Sequence, residues 1–133
     1  MREQSNRGLV FDPQDLERLL VSRENVGDVD GMAALYEPLA LLACDGGLLT
    51  YGREAIRKFY GELVATGRQF ELGEQRAAMV CGDLALTSTR LPNGTVTAEI
   101  ARRQGDGTWL WVIDQFSISS EATIHALGDR RRA

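Results

Sequence analysis

Two carboxyl side chains in the second half of the chain are placed where they could form one acid–base site. Asp106-Gly107 is a strong hairpin signal, because both central residues of a type I′ turn need positive φ. If it forms a two-residue loop, Glu99 opposes Asp114, and a loop two residues longer keeps both on one face. Two carboxyl groups this close in an apolar site cannot both ionise cheaply, so one pKa should rise. A carboxylic acid held neutral can donate a proton.

An arginine and a serine are predicted to lie beside this acidic pair. A two-residue loop at Asn93-Gly94 would place Ser88 opposite Glu99 and Arg90 one diagonal step away. Arg90 could then tune the carboxyl groups or bind an anionic group of a ligand. The same side chains could instead form a polar core network without chemistry, in which Arg90 and Ser88 satisfy both acids.

Helices are predicted in the first half of the chain, from apolar periodicity bounded by capping aspartates and by glycines. They cover residues 12–27, 28–36 and 52–67. Leu20 falls on the apolar face of the first helix, whereas Glu17 and Glu24 fall elsewhere. Two short strands, over residues 39–44 and 48–51, separate the second helix from the third.

The second half of the chain alternates in the manner of β-strands. Four strands are predicted, over residues 69–80, 84–91, 95–103 and 108–119. Helices followed by an antiparallel meander indicate an α+β domain, in which three N-terminal helices pack on a curved sheet. We expect this domain to cover residues 12–120, after a flexible leader of residues 1–11. A polar tail, residues 121–133, contains the triplet Arg130–Arg132.

The last strand is apolar on both faces, which is unusual for an antiparallel strand with one wet face. Trp109, Trp111 and Ile113 are predicted to point one way, and Leu110, Val112, Asp114 and Phe116 the other. The helices can cover only one face. We therefore expect a homodimer through the Trp109/Trp111 face, unless the chain's own tail covers the two tryptophans.

Composition excludes several classes of protein. The 133 residues are 44% hydrophobic and 26% charged, which is typical of a globular domain, and the net charge of −4 argues against a nucleic-acid binder. No apolar run is long enough for a membrane span. Cys44 and Cys81 are expected to be buried thiols in a reducing cytoplasm. With His125 as the single histidine and no cofactor motif, neither a metal nor a cofactor is expected.

Three strings of residues resemble a known family. They are Val26–Asp28, Met32–Tyr36 and the segment Gly52–Tyr60, which reads GREAIRKFY. With the order of elements, they resemble the NTF2-like superfamily over residues 12–119, most of all its SnoaL-like and DUF4440-type branches. Those branches include polyketide cyclases and ketosteroid isomerases. The resemblance implies a cone-shaped cavity between helices and sheet, and a homodimer.

The resemblance also implies roles for individual residues. Ketosteroid isomerases use a tyrosine, an aspartate base and a protonated aspartate, and the last of these is a known example of a carboxylic acid kept neutral. The corresponding positions here are Leu20, Cys44 and Glu99. Only the position of the protonated aspartate therefore keeps an acidic side chain. SnoaL-like cyclases need an acid that protonates a substrate carbonyl, a role open to Asp114 or Glu99.

Three functions are therefore considered. The first is a cofactor-independent acid–base catalyst of the cyclase or isomerase type, acting on a small hydrophobic molecule with Asp114 and Glu99 as catalytic groups. The predicted substrate-binding residues are Arg90, Ser88, Val112, Phe116, Leu20, Cys44 and Tyr60. The second is a non-catalytic ligand carrier of the same fold. The third is a dimerisation or adaptor domain whose cavity is filled by Phe59, Tyr60, Phe70 and Phe116. None of them involves nucleic acid or a membrane.

Overall fold

A computed structural model describes residues 9–118 of the chain. Most of the predicted leader, His125 and the Arg130–Arg132 triplet lie outside the described residues. Within them, Val10 is buried, and its carbonyl accepts a hydrogen bond of 2.7 Å from the Trp109 N–H. The packed part of the chain thus includes a residue two positions before the predicted domain boundary.

The three predicted helices are present. They are α1 (Asp15–Asn25), α2 (Val29–Ala33) and α3 (Arg53–Val64). Asp28 caps α2, since its carboxylate accepts a hydrogen bond of 3.0 Å from the Gly31 N–H. Gly27 and Gly67, the predicted helix ends, both have a φ of 76° that favours glycine.

The strands form one large sheet and one small one. In chain order they are β1 (Tyr36–Ala43), β2 (Leu49–Tyr51), β3 (Glu74–Gln75), β4 (Met79–Cys81), β5 (Leu84–Thr87), β6 (Thr89–Arg90), β7 (Ala98–Arg103) and β8 (Trp109–Gln115). The six-stranded sheet has the order β2-β1-β8-β7-β5-β4, and β3 pairs with β6 separately. Only the β1–β8 pair is parallel. The helices pack on this mostly antiparallel sheet, which confirms the predicted α+β class.

Several elements are shorter than predicted or are divided, among them the second helix and the strand predicted over residues 69–80. Tyr36 begins β1 rather than ending the second helix, because α2 stops at Ala33. The segment predicted as one strand over residues 69–80 contains only the short strands β3 and β4. The first of these differences moves a tyrosine into the sheet, where its hydroxyl contributes to the site described below.

The predicted dimer surface at Trp109 and Trp111 is wrong. Trp111 is fully buried, Trp109 is 4% exposed, and the Trp111 ring packs 5.1 Å from that of Tyr36. Both tryptophans therefore belong to the core of their own chain. Ile113, predicted to share their face, is instead exposed on the opposite face of the sheet.

Two hairpin loops have three residues each, rather than the predicted two. One spans residues 92–94 and the other residues 105–107. Each ends on a glycine with positive φ, Gly94 at 90° and Gly107 at 88°. A three-residue loop built on a type I turn has this conformation at its last position. Each loop shifts the pairing of its two strands by one residue from the prediction.

A β-bulge at Val112 cancels this shift in the second hairpin. Beyond the bulge, Glu99 pairs directly with Asp114, so the predicted opposition of the two acids is confirmed. The β5–β7 pairing has no such compensation and runs on in a single register. Consequently Thr87 pairs with Glu99 in place of Ser88.

One of the two cysteines is buried as predicted, and the other is not. Cys44 is buried as expected, but Cys81 is exposed at the edge strand β4, and no disulfide joins the two.

None of the helices within residues 9–118 has the length and apolar character that crossing a membrane needs.

Candidate active site

A cavity of about 600 Å³ lies between α1, α3 and the large sheet. This volume is within the range of small-molecule sites in proteins. Buried side chains of α1, α3, β7 and β8 form its interior, and exposed residues of two loops lie at its rim, among them Arg68 and Asn93. Phe59, Tyr60, Phe70 and Phe116 line the cavity without filling it, so the prediction of a self-filled cavity is wrong.

Two opposed carboxyl groups of the sheet, those of Glu99 and Asp114, reach the cavity wall. Glu99 is 2% exposed and Asp114 is 3% exposed. Burial raises the pKa of Asp114 well above its usual range, and the Glu99 charge raises it further. Burial also raises the pKa of Glu99, against the opposing effect of the Thr97 and Thr87 hydroxyls. Because like charges this close disfavour double ionisation, ionisation of one carboxyl group opposes ionisation of the other.

The two carboxyl groups differ in their hydrogen bonds. The Tyr36 hydroxyl donates to Asp114 Oδ2 at 2.5 Å, and the Tyr36 and Tyr60 hydroxyls are 2.6 Å apart. Glu99 Oε1 accepts from the Thr87 hydroxyl at 2.7 Å. Glu99 Oε2 is buried and has no hydrogen-bond partner in the described part of the chain. Asp114 is thus bound by a chain of hydroxyls, whereas one oxygen of Glu99 is buried without a partner among the described residues.

The two tyrosines that are hydrogen-bonded to each other at the site, Tyr36 and Tyr60, come from elements that the sequence resemblance did not indicate. Tyr36 begins β1 and Tyr60 lies on α3, whereas the position implied for a site tyrosine on the first helix holds Leu20. Both tyrosines are buried, and burial with the neighbouring Asp114 charge raises their pKa well above the usual range. They are therefore neutral hydrogen-bond donors at physiological pH.

Two further carboxyl groups, those of Glu17 and Glu24 on α1, also line the cavity. Burial, with the charges of Glu99 and Glu24, raises the pKa of Glu17 to about 8. Burial raises the pKa of Glu24 to about 7, although the Arg68 charge opposes this. Sequence analysis placed both glutamates away from the apolar face. Their spacing of seven residues, with Leu20 between them, is the signal that they share its helical stripe.

The predicted binding residues divide into two groups. Leu20, Cys44, Tyr60 and Phe116 line the cavity, as expected, and the Phe116 ring packs 5.8 Å from that of Phe59. Their contribution is an apolar and aromatic wall close to the carboxyl groups.

Val112, Ser88 and Arg90 do not line the cavity. Val112 is the unpaired residue of the β8 bulge. The three-residue loop at 92–94 turns Ser88 and Arg90 away from the acids. The Ser88 hydroxyl donates to the Thr97 carbonyl at 2.7 Å, and Arg90 is exposed. Both border a separate hollow of about 360 Å³ on the other side of the strands.

The acidic groups of the cavity are not arranged as metal ligands. Over residues 9–118, no group of three or more His, Cys, Asp and Glu side chains is placed to hold a metal ion. The chemistry that the arrangement supports directly is proton transfer between carboxyl groups and a bound molecule.

Comparison with known proteins identifies the fold. No protein-family model matches the sequence, and no curated protein matches it significantly. An NTF2-like protein with a cystatin-like fold from Novosphingobium aromaticivorans is similar at a TM-score of 0.63 and 21% identity, over 95% of this chain and 90% of that one. A domain with a cystatin-like fold from Nostoc punctiforme is similar at 0.63 and 22%, over 90% and 83%.

A third solved structure agrees with these two. An NTF2-like protein of unknown function from Pseudomonas putida is similar at a TM-score of 0.57 and 18% identity, over 77% of this chain and 81% of that one. The chain therefore has the cystatin-like α+β fold of the NTF2-like proteins. The resemblance found in the sequence is confirmed at the level of this fold.

Proposed function

We propose that this chain is a small-molecule-binding domain that carries out cofactor-independent acid–base catalysis in the cavity described above. The substrate is a small, predominantly hydrophobic molecule, and the reaction is an isomerisation or ring closure, as in the SnoaL-like branch. The observation that carries the proposal is the hydrogen-bond chain from Tyr60 through Tyr36 to Asp114. It orients a protonated carboxyl group beside Glu99 in an apolar site.

Asp114 acts as the general acid and Glu99 as the general base. Asp114 gives its proton to a substrate carbonyl oxygen, while Glu99 takes a proton from the adjacent carbon, so an enol forms. The Tyr36 hydroxyl stabilises the carboxylate left on Asp114 through the hydrogen bond that it already donates. Return of one proton to another carbon and of the other to Asp114 completes an isomerisation without any net gain or loss of atoms.

We further propose that the domain is a homodimer through the outer face of the large sheet. An apolar row crosses all six strands in direct register: Met79, Leu86, Ile100, Ile113, Leu41 and Tyr51. Met79 and Tyr51 are 69% and 65% exposed, so most of this row is open to solvent within one chain. A second copy is the partner that fits it, because an uncharged row can pack on itself about a two-fold axis.

The catalytic proposal is tested first by a ligand screen. The purified chain is heated with steroids, polyketide-like aromatics, isoprenoids and fatty acids, and the unfolding midpoint is recorded. A ligand at about 100 times its Kd adds roughly 2.7 kcal/mol to the free energy of unfolding and should raise the midpoint by several degrees. Compounds that bind are then incubated with the protein, and product formation is followed by NMR.

Variants then separate catalysis from binding. Asp114→Asn and Glu99→Gln should each lower turnover by roughly 100-fold or more while ligands still bind, because a general acid or base contributes at least that much. Glu62→Gln changes an exposed glutamate of α3 and should leave turnover unchanged. Tight binding without turnover in the unmodified protein would contradict catalysis and favour a carrier.

A further inference from the structure

Acidic side chains face one another across the cavity. Glu17 and Glu24 approach from α1, and Glu99 and Asp114 approach from the sheet. Glu17 is central to the group, because its charge affects the pKa of Asp114 and its own pKa responds to Glu99 and Glu24. A bound molecule would therefore meet carboxyl groups on two sides.

Positive charge is confined to the rim of the cavity. Among its described lining residues Arg68 is the single cation, and it is exposed, with its guanidinium 5.2 Å from the centre of the Phe70 ring. The remaining charged or titratable lining groups are the exposed Glu71 at the rim, the buried Cys44 thiol and the buried Tyr60 hydroxyl, with Tyr36 behind it. Residues 9–118 thus place no cation in the interior to balance its carboxyl groups.

One of these carboxyl groups, that of Glu99, lacks a donor that buried carboxyl groups normally have. Glu99 Oε2 is buried in a side chain that is 2% exposed and has no hydrogen-bond partner within residues 9–118. The Glu17 and Glu24 carboxyl groups form no hydrogen bond or ion pair with any described residue. Because an unpaired buried acceptor is unfavourable, Glu99 Oε2 favours a ligand that brings a donor, and the Glu17 and Glu24 carboxyl groups have no competing donor among the described residues.

An ammonium group meets this requirement better than other donors. It presents three N–H donors, no acceptor and a positive charge, so it can bind several carboxyl oxygens at once. A hydroxyl brings one donor, and an anion would be repelled. The Phe59, Phe116 and Tyr60 rings of the wall also attract a cation and accommodate an apolar body.

We propose that the molecule bound in this cavity is an amphipathic amine, whose ammonium group lies among Glu17, Glu24 and Glu99 and whose apolar part packs against the aromatic wall. This inference rests on the proposed small-molecule function and names its substrate class. A cation at this place favours the ionised carboxyl groups. Since the pKa of Glu17 is about 8 and that of Glu24 about 7, binding releases protons and strengthens as the pH rises from 6 to 8.

Matched ligands test the inference. Phenylbutylamine, phenylbutanol and phenylbutyrate share an apolar body and differ in charge, and a second trio carries a naphthyl group. Each compound is titrated into the protein by calorimetry at pH 7. We expect each amine to bind roughly ten-fold more tightly than its alcohol, because a hydrogen bond from a charged donor to a carboxylate is stronger than one from a hydroxyl. The carboxylates should bind most weakly.

Two variants assign the preference to the cavity. Glu17→Gln should remove most of the amine preference and leave the alcohol affinity unchanged, whereas the exposed Glu62→Gln should preserve both affinities. Amines that bind no more tightly than their alcohols, or that do not bind, would overturn this inference. The proposed catalytic function would survive that result, because the screen with steroids, polyketide-like aromatics and isoprenoids tests it separately.

Discussion

Glu99 and Asp114 are directly opposed residues of the antiparallel strands β7 and β8, and both carboxyl groups line the cavity. Each is almost fully buried, so the charge of one opposes ionisation of the other. Asp114 has the Tyr36 hydroxyl as its partner, while Glu99 has one oxygen without a partner among the described residues. These different surroundings support the proposed roles of Asp114 as the acid and Glu99 as the base.

Removing the Tyr36 hydroxyl should destabilise the protein and perturb Asp114. Tyr36→Phe leaves Asp114 Oδ2 and the Tyr60 hydroxyl without their shared partner, at a cost of about 1–3 kcal/mol in the free energy of unfolding. The pKa of Asp114 should rise further, because the Tyr36 hydrogen bond holds it down. Urea unfolding measures the first effect. The matched Tyr51→Phe changes an exposed tyrosine and should have little effect; equal losses in both variants would contradict the assigned network.

Stability should fall as the pH rises from about 4.5 to 8. The folded-state pKa of Glu17 is about 8 and that of Glu24 about 7, against an ordinary value of 4.5. Between these values the folded state binds more protons than the unfolded state, so the free energy of unfolding decreases with pH. Asp114 and Glu99 act in the same direction. Because one pKa unit is worth about 1.4 kcal/mol, we expect the thermal midpoint to fall by several degrees.

Substitution of Glu17 identifies a source of the pH dependence of stability. Glu17→Gln cannot ionise, so its midpoint should fall less between pH 5 and pH 8 than that of the unmodified protein. Glu62→Gln removes an exposed carboxyl group from α3 and should leave the slope unchanged. A midpoint that rises over this range in the unmodified protein would show that the cavity carboxyl groups are ionised in the folded state.

The hairpins show how far sequence could predict the site. Asn93-Gly94 and Asp106-Gly107 correctly indicated the turns, but turn composition does not distinguish a two-residue loop from a three-residue loop. In the second hairpin the Val112 bulge compensated, so the Glu99–Asp114 pair was predicted correctly even though the loop length was wrong. The first hairpin has no compensating bulge, and Ser88 and Arg90 were therefore assigned to the wrong face.

The bulge also explains the wrong prediction for the tryptophans. Strict alternation along β8 puts Trp111 and Asp114 on opposite faces, whereas the extra residue brings both to the buried face. Apolar periodicity, by contrast, predicted the three helices, because each of them packs apolar side chains into the core. Periodicity did not identify Glu17 and Glu24, because it assumes that the apolar face of a helix packs on a filled core. The face of α1 lies against a cavity, which accommodates acidic side chains.

Substitutions of Trp111 and Ile113, which lie on opposite faces of β8, should affect different properties of the protein. The first should lower stability, and the second should prevent association. Trp111→Ala should cost about 3–5 kcal/mol in the free energy of unfolding, because it leaves a large void in the core.

Ile113→Lys introduces a charge into the outer apolar row and should convert a dimer to a folded monomer. Sedimentation measures the association state, and Val26→Lys serves as the control because Val26 is 78% exposed on the end of α1. A dimer unaffected by Ile113→Lys would exclude the outer sheet face as the interface.

The most direct test of the account is a carbon-detected NMR titration of the side-chain carboxyl groups in the unmodified protein and in Glu99→Gln. We predict that Asp114 remains protonated at pH 7 in the unmodified protein. Its apparent pKa should fall in Glu99→Gln, because the opposing charge is then absent. If the Asp114 and Glu99 carboxyl groups both ionise below pH 5, the pair stores no proton at neutral pH, and the proposed acid–base site is contradicted.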